Sequence, residues 1–198
     1  MKPTLLAMLA ITVAAVSSTG VFAFVDNETQ TTANGMTDST GLLGHIEVVV
    51  RDESGNIKEY RQTDNKIVDV GLRSFSQDLF GAPQGLTLGI FDKIGVGTGT
   101  TGVVAGNTNL ETQRGNKQLG TVTVDNVLGA KISRTFAASG ASDLNNATGT
   151  IAITEATLHD NHINATGNLF ARQTFTAVNV GISDSLTVDW TITPASVN

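Results

Sequence analysis

From Leu186 to Thr193 apolar and polar residues alternate without a break: Leu186, Val188, Trp190 and Ile192 in one set, Thr187, Asp189, Thr191 and Thr193 in the other. A strand sends successive side chains to opposite faces, so this pattern describes a strand with one buried face. A helix would need a period near 3.6. Trp190, the only tryptophan, therefore points inward. Upstream, Leu169, Ala171, Phe175 and Ala177 form a second apolar face interrupted by Gln173, and Asn179, Gly181 and Asp184 supply turn chemistry between the two stretches. The expectation is a closing hairpin of an all-β domain, with Trp190, Val188, Leu186, Ile192, Phe175 and Phe136 in its core.

The rest of the chain reads the same way. Ile46, Val48 and Val50 alternate with Glu47, Val49 and Arg51, the Asp52–Asn56 segment turns, and Ile57–Gln62 returns as a hairpin. A short apolar run follows at Lys66–Val70. Leu72, Phe75, Leu79 and Phe80 then fall at helical spacing between Gly71 and Gly81, predicting one helix of about two turns. A strand from Leu86 to Val96 enters a glycine-rich stretch. Leu119–Val124 and Leu128–Phe136 form a hairpin around Asp125-Asn126, Ser139–Asn146 is a loop, Thr150–Leu158 a strand, and His159–Gly167 a polar loop. Eight or nine strands and one short helix predict a single β-sandwich or jelly-roll-like domain.

The N-terminus has the form of a secretory leader. Lys2 precedes an apolar run, Leu5–Val16, broken only by Thr12, and Val21-Phe22-Ala23 fits a cleavage site. Residues 1–23 are thus expected to be removed, followed by a flexible polar arm over 24–44 and the β domain over 45–198. Loss of Lys2 takes the formal charge from −6 to −7. An acidic chain without a basic cluster fits neither nucleic acid nor, once the leader is gone, an anionic lipid surface. With no cysteine, disulfides and thiolate metal sites are excluded. The expected location is secreted or at the cell surface, where the sequons at Asn27, Asn146 and Asn164 are glycosylation candidates.

Candidate chemistry is sparse. Gly97-Thr98-Gly99-Thr100-Thr101-Gly102 matches G-x-G-x-x-G, yet no helical run follows to face a phosphate, so a glycine-rich turn is the better reading. His159 and His162 flank Asp160 and Asn161 in a way that offers metal ligands. Hard oxygen donors in the loops make calcium the one cofactor to consider, with Asp143, Asn145, Asp160 and Asn164 as candidates. Glu155 and Asp189 form a carboxylate pair if their strands are neighbours, although Glu155 continues the row set by Ile151 and Ile153 and so falls near the end of the buried face. No nucleophile elbow, metalloprotease motif or cysteine nucleophile occurs, and a non-enzymatic protein is expected.

Two blocks carry a resemblance. Ile94-Gly95-Val96-Gly97-Thr98-Gly99-Thr100-Thr101 continuing to Gly106-Asn107-Thr108-Asn109-Leu110-Glu111, and Leu169–Ala177 followed by Asp184–Thr193, resemble a family of small β-rich virion or tail-associated structural proteins of bacteriophages and archaeal viruses. With its leader, the chain is similar to secreted β-sandwich subunits that archaea polymerise into extracellular filaments by strand donation. The resemblance implies a homopolymer, with Phe24, Val25, Met36, Leu42 and Leu43 of the arm as self-association candidates. A binding module holding calcium or a glycan in its loops, and a virion or tail-fibre protein, are the alternatives.

Overall fold

A computed structural model describes residues 39–81, 89–124, 129–160 and 167–197. Among them are ten strands and one helix: β1 (Ser39–Arg51), β2 (Ile57–Asp64), β3 (Lys66–Ile67), α1 (Asp69–Phe80), β4 (Phe91–Gly97), β5 (Gln113–Leu119), β6 (Thr121–Val124), β7 (Ala130–Ala137), β8 (Thr150–Asp160), β9 (Leu169–Gly181) and β10 (Ser185–Val197). They form two antiparallel five-stranded sheets, ordered β2-β1-β10-β7-β6 (sheet A) and β3-β9-β8-β4-β5 (sheet B). The domain is an all-β sandwich.

The core lies between the sheets. Sheet A contributes Ile46, Val48, Val50, Ile132, Phe136, Leu186, Val188 and Trp190; sheet B contributes Ile94, Val96, Ile151, Ile153, Ala156, Leu158, Val178 and Val180. Strand β10 is the middle strand of sheet A, and Trp190 is fully buried between its cross-strand neighbours Ile46 and Ile132. Ile192 and Phe175 pack on this cluster from partly buried positions.

The closing hairpin is not formed. Although β9 and β10 are separated by only a tight turn, β9 pairs with β8 and β3 in sheet B while β10 pairs with β1 and β7 in sheet A. The turn is an arch between sheets, held by the Asp184 carboxylate, which accepts from Gly181 N (2.7 Å) and from Lys58 Nζ (2.6 Å). Alternation reports which face of a strand is buried, and an arch and a hairpin leave the same imprint on it.

Other boundaries shift. The Asp52 turn is closed by Ser54 and Asn56 amides on Asp52 Oδ1, with Gly55 at φ +84°, and the expected β1–β2 hairpin forms around it. Strand β1 begins at Ser39 opposite Val197, so the last six residues of the expected arm belong to the sheet. Strand β5, whose Gln-, Arg-, Asn- and Lys-rich sequence lacks alternation, is one that the periodicity does not reveal. Helix α1 starts earlier than expected, at Asp69, and buries small residues. Gly71 and Ser74 are buried, whereas Leu72 and Phe75 are 42% and 37% exposed. The reason is close approach: a Cβ at Gly71 would lie 2.3 Å from the Phe170 carbonyl oxygen of β9, so only glycine lets the helix seat there. Gly81, at φ +60°, ends the helix with its N–H on Gln77 O.

Candidate functional site

Strand β8 changes phase in mid-course. A register shift between Ile153 and Glu155 follows the inward pair Ile151 and Ile153, and the inward set continues as Ala156 and Leu158. Glu155, Thr157 and His159 therefore lie on the side of sheet B that faces away from the core. They are nonetheless buried, together with Arg172 of β9. The expectation that Glu155 ends the core row is corrected by this bulge.

Segment 98–112 folds back over the row, and the glycines of β4 make room for it. Gly97 stands opposite Glu155 and Gly95 opposite Thr157. A Cβ on Gly97 would meet Thr112 O at 2.4 Å and Glu155 Oε1 at 2.5 Å; one on Gly95 would meet Thr157 Oγ1 at 2.8 Å and Leu110 Cδ1 at 2.9 Å. The G-x-G-x-x-G match is thus a packing device. Its amides face a carboxylate: Gly99 N–H donates to Glu155 Oε1 (3.0 Å), and no helix follows the stretch.

Glu155 accepts four further hydrogen bonds and ion-pair contacts. Thr112 N–H donates to Oε1 (2.9 Å), while Glu111 N–H (3.1 Å) and Arg172 Nε–H (3.0 Å) donate to Oε2, with Arg172 Nη2 at 2.9 Å from the same oxygen. A buried charge is tolerated when paired and hydrogen-bonded in this way. The carboxylate ties β8, β9 and both ends of segment 98–112 together. Asp189, its proposed partner in a carboxylate pair, lies in sheet A, where it binds Lys131 (2.6 Å) and Ser133. The two carboxylates are not neighbours.

Beside the ion pair is a cleft of about 320 Å³ walled by Thr101, Gly106, Asn107, Thr108, Asn109, Leu110, Glu111 and Arg172. Glu111 stands at its exposed side. Donation from the Thr101 hydroxyl (2.7 Å) and amide (2.8 Å) holds its carboxyl below the usual carboxylate pKa. Arg172 Nη1 donates to Asn107 Oδ1 (3.2 Å).

At the far end of the row, His159 is fully buried, and its Nδ1 lies 3.4 Å from Lys117 Nζ of β5. Burial, reinforced by the Lys117 charge, lowers the His159 pKa to about 3, and burial lowers that of Lys117 to about 8. His159 belongs to β8, not to a loop, and faces a cation; His162 and Asn161 lie outside the described residues.

Of the calcium candidates, Asp160 and Asp143 accept hydrogen bonds from neighbouring backbone and side-chain donors. Asp160 accepts from Gly89 N (3.1 Å), Asn168 N (2.8 Å) and Asn168 Nδ2 (2.6 Å), and Asp143 from Arg134 and the Ala137 amide (both 3.2 Å). Asn145 takes a left-handed φ of +49° in the same loop as Asp143. Among the described residues no group of three His, Cys, Asp or Glu side chains could hold a metal ion. Asn164 lies outside them, as do Asn27, Phe24, Val25, Met36 and residues 1–23, the expected leader. The sequon at Asn146 is corrected: its side chain is 3% exposed and its Nδ2 donates to Gly149 O and Val180 O (both 3.2 Å), so the folded chain does not present it for glycosylation. Leu42 packs against the core and Leu43 is exposed, both within β1.

Sequence reasoning missed Arg172, Glu111 and Lys117 as partners. The available signal was a glutamate in a β-branched strand, Ile151-Ala152-Ile153-Thr154-Glu155, together with a strand with glycine at every second position, Gly95, Gly97 and Gly99. Comparison of the chain with protein-family models, with curated proteins and with solved structures finds no match.

Proposed function

We propose that the protein is a non-enzymatic structural subunit of an extracellular filament or surface coat that works by self-association. The observation that supports this is the contrast between the two edges of sheet A. Edge strand β2 is guarded by charge: Lys58 reaches Asp184, Glu59 accepts from Asn179 N (3.0 Å), and Arg61 reaches Ala177 O (3.3 Å). Such charges discourage pairing with another chain. Edge strand β6, Thr121-Val122-Thr123-Val124, carries no charge, is exposed at all four residues, and follows an exposed Leu119. Val124 is 74% exposed. An unguarded edge of β-branched residues is a template for an added strand.

The test is negative-stain electron microscopy of the chain from Phe24, beside a truncation starting at Ser39 and the variant Val124→Lys. Filaments or sheets from the intact chain, absent in Val124→Lys, are expected. Loss on truncation as well would identify the preceding segment as the donor strand. Monodisperse particles at every concentration would overturn the reading. Truncation must stop at Ser39, because deletion through Gly44 removes six residues of β1.

A further inference from the structure

The cleft beside Arg172 is polar, built on a buried ion pair, and serves neither the core nor the sheet edges. We infer that it binds a neutral polyhydroxyl ligand, a single saccharide residue being the chemistry that fits. Three observations carry this. First, the two charged side chains in the wall are of opposite sign and adjacent, with Arg172 Nη2 3.6 Å from Glu111 Oε2. A bare cation would face the guanidinium and a bare anion the Glu111 carboxylate, so neither is favoured. Second, Arg172 is 2% exposed, and its Nη2, although 2.9 Å from Glu155 Oε2 and 3.6 Å from Glu111 Oε2, makes no well-aligned hydrogen bond. Nη2 carries two hydrogens, and a ligand oxygen in the cleft offers the aligned acceptor that the two carboxylates do not. Third, the remaining wall supplies short polar side chains, Thr101, Asn107, Thr108 and Asn109, with Leu110 as the apolar floor. A hydroxyl both donates and accepts, so vicinal hydroxyls satisfy Arg172 and Glu111 together.

The cleft lies on the outer side of sheet B, whereas the unguarded edge belongs to sheet A, so ligand binding does not depend on self-association. The volume, about 320 Å³, is at the lower end of small-ligand sites.

The experiment is saturation-transfer NMR on the full secreted chain with glucose, galactose, mannose and N-acetylglucosamine as separate probes, and with glycine and calcium chloride as competitors. Transfer from at least one sugar is expected, weakened about tenfold or more in Glu111→Gln, as for loss of a hydrogen bond to a charged group. Thr101→Val, on the same wall, provides a second variant should Glu111→Gln perturb segment 98–112, and Trp190 fluorescence reports folding of both. No transfer from any of the four sugars, transfer unchanged in both variants, or displacement by glycine or calcium at equal concentration would each overturn the assignment.

Discussion

Arg172 and Glu155 sit diagonally on adjacent strands, with Arg172 Nε 3.0 Å from Glu155 Oε2, at positions 2% and 0% exposed on the face of sheet B that looks away from the core. The sandwich thus has a second buried layer, polar where the first is apolar, and the Glu155 carboxylate ties that layer to the sheet alongside Thr154, which donates to Gly99 O (2.8 Å), and Arg172, which donates to Asn107 Oδ1 (3.2 Å).

Breaking the pair should be expensive and removing it less so. Glu155→Ala removes the buried carboxylate partner of the guanidinium and the acceptor of the Gly99, Glu111 and Thr112 amides, and a loss of ~3–5 kcal/mol is expected in urea unfolding. The double variant Glu155→Ala with Arg172→Met should cost clearly less than the sum of the single changes. Additive costs would mean that the two residues act independently.

Glycine substitution separates packing from flexibility. Gly97→Ala drives a Cβ into the Thr112 carbonyl and Glu155, and should destabilise by ~1–3 kcal/mol or more. Gly102→Ala, with open space around the new methyl, should fall within about 0.5 kcal/mol of the wild type. Equal effects at the two sites in thermal denaturation would refute the packing role assigned to the motif.

Trp190→Ala should cost ~3–5 kcal/mol, since the largest side chain of the core would be replaced by a cavity. Trp190→Phe should cost much less, because the indole Nε1–H is buried without an acceptor and its removal gives up no hydrogen bond. Chemical denaturation followed by far-ultraviolet circular dichroism measures both.

Acid should act through His159. Its folded pKa, about 3, lies below the ordinary value of 6.5, so the folded state favours the neutral ring. That contribution is complete above about pH 6.5 and is lost as pH falls toward 3, by up to ~1.4 kcal/mol per pH unit. His159→Gln should flatten the stability profile between pH 6 and 4 relative to wild type, and parallel profiles would show that the ring does not titrate as buried.

The charge contrast between edges is checked by paired variants. Val124→Lys on β6 should fold normally and abolish assembly, whereas Ile57→Lys on the already guarded β2 should leave assembly intact. Light scattering against concentration distinguishes them.

Alternation along the chain was enough to assign most strands though not β5, the inward face of β10, the burial of Trp190 and Phe136, and the β1–β2 and β6–β7 hairpins, because side-chain direction along a strand is a local property of the backbone. It could not say that β9 and β10 part into different sheets, since the partner of a strand is chosen by the whole core. It also could not place the bulge at Ile153–Glu155, which converts a presumed core-edge glutamate into the anchor of an outer layer, nor bring Arg172, Glu111 and Lys117 to that layer from distant positions. The helix shows the same division: spacing located it, but the inward face was set by how closely Gly71 can approach the Phe170 carbonyl. Local periodicity determined the elements of this protein, and only tertiary packing decided their neighbours, because a buried charge finds its partners through space and leaves no period in the sequence.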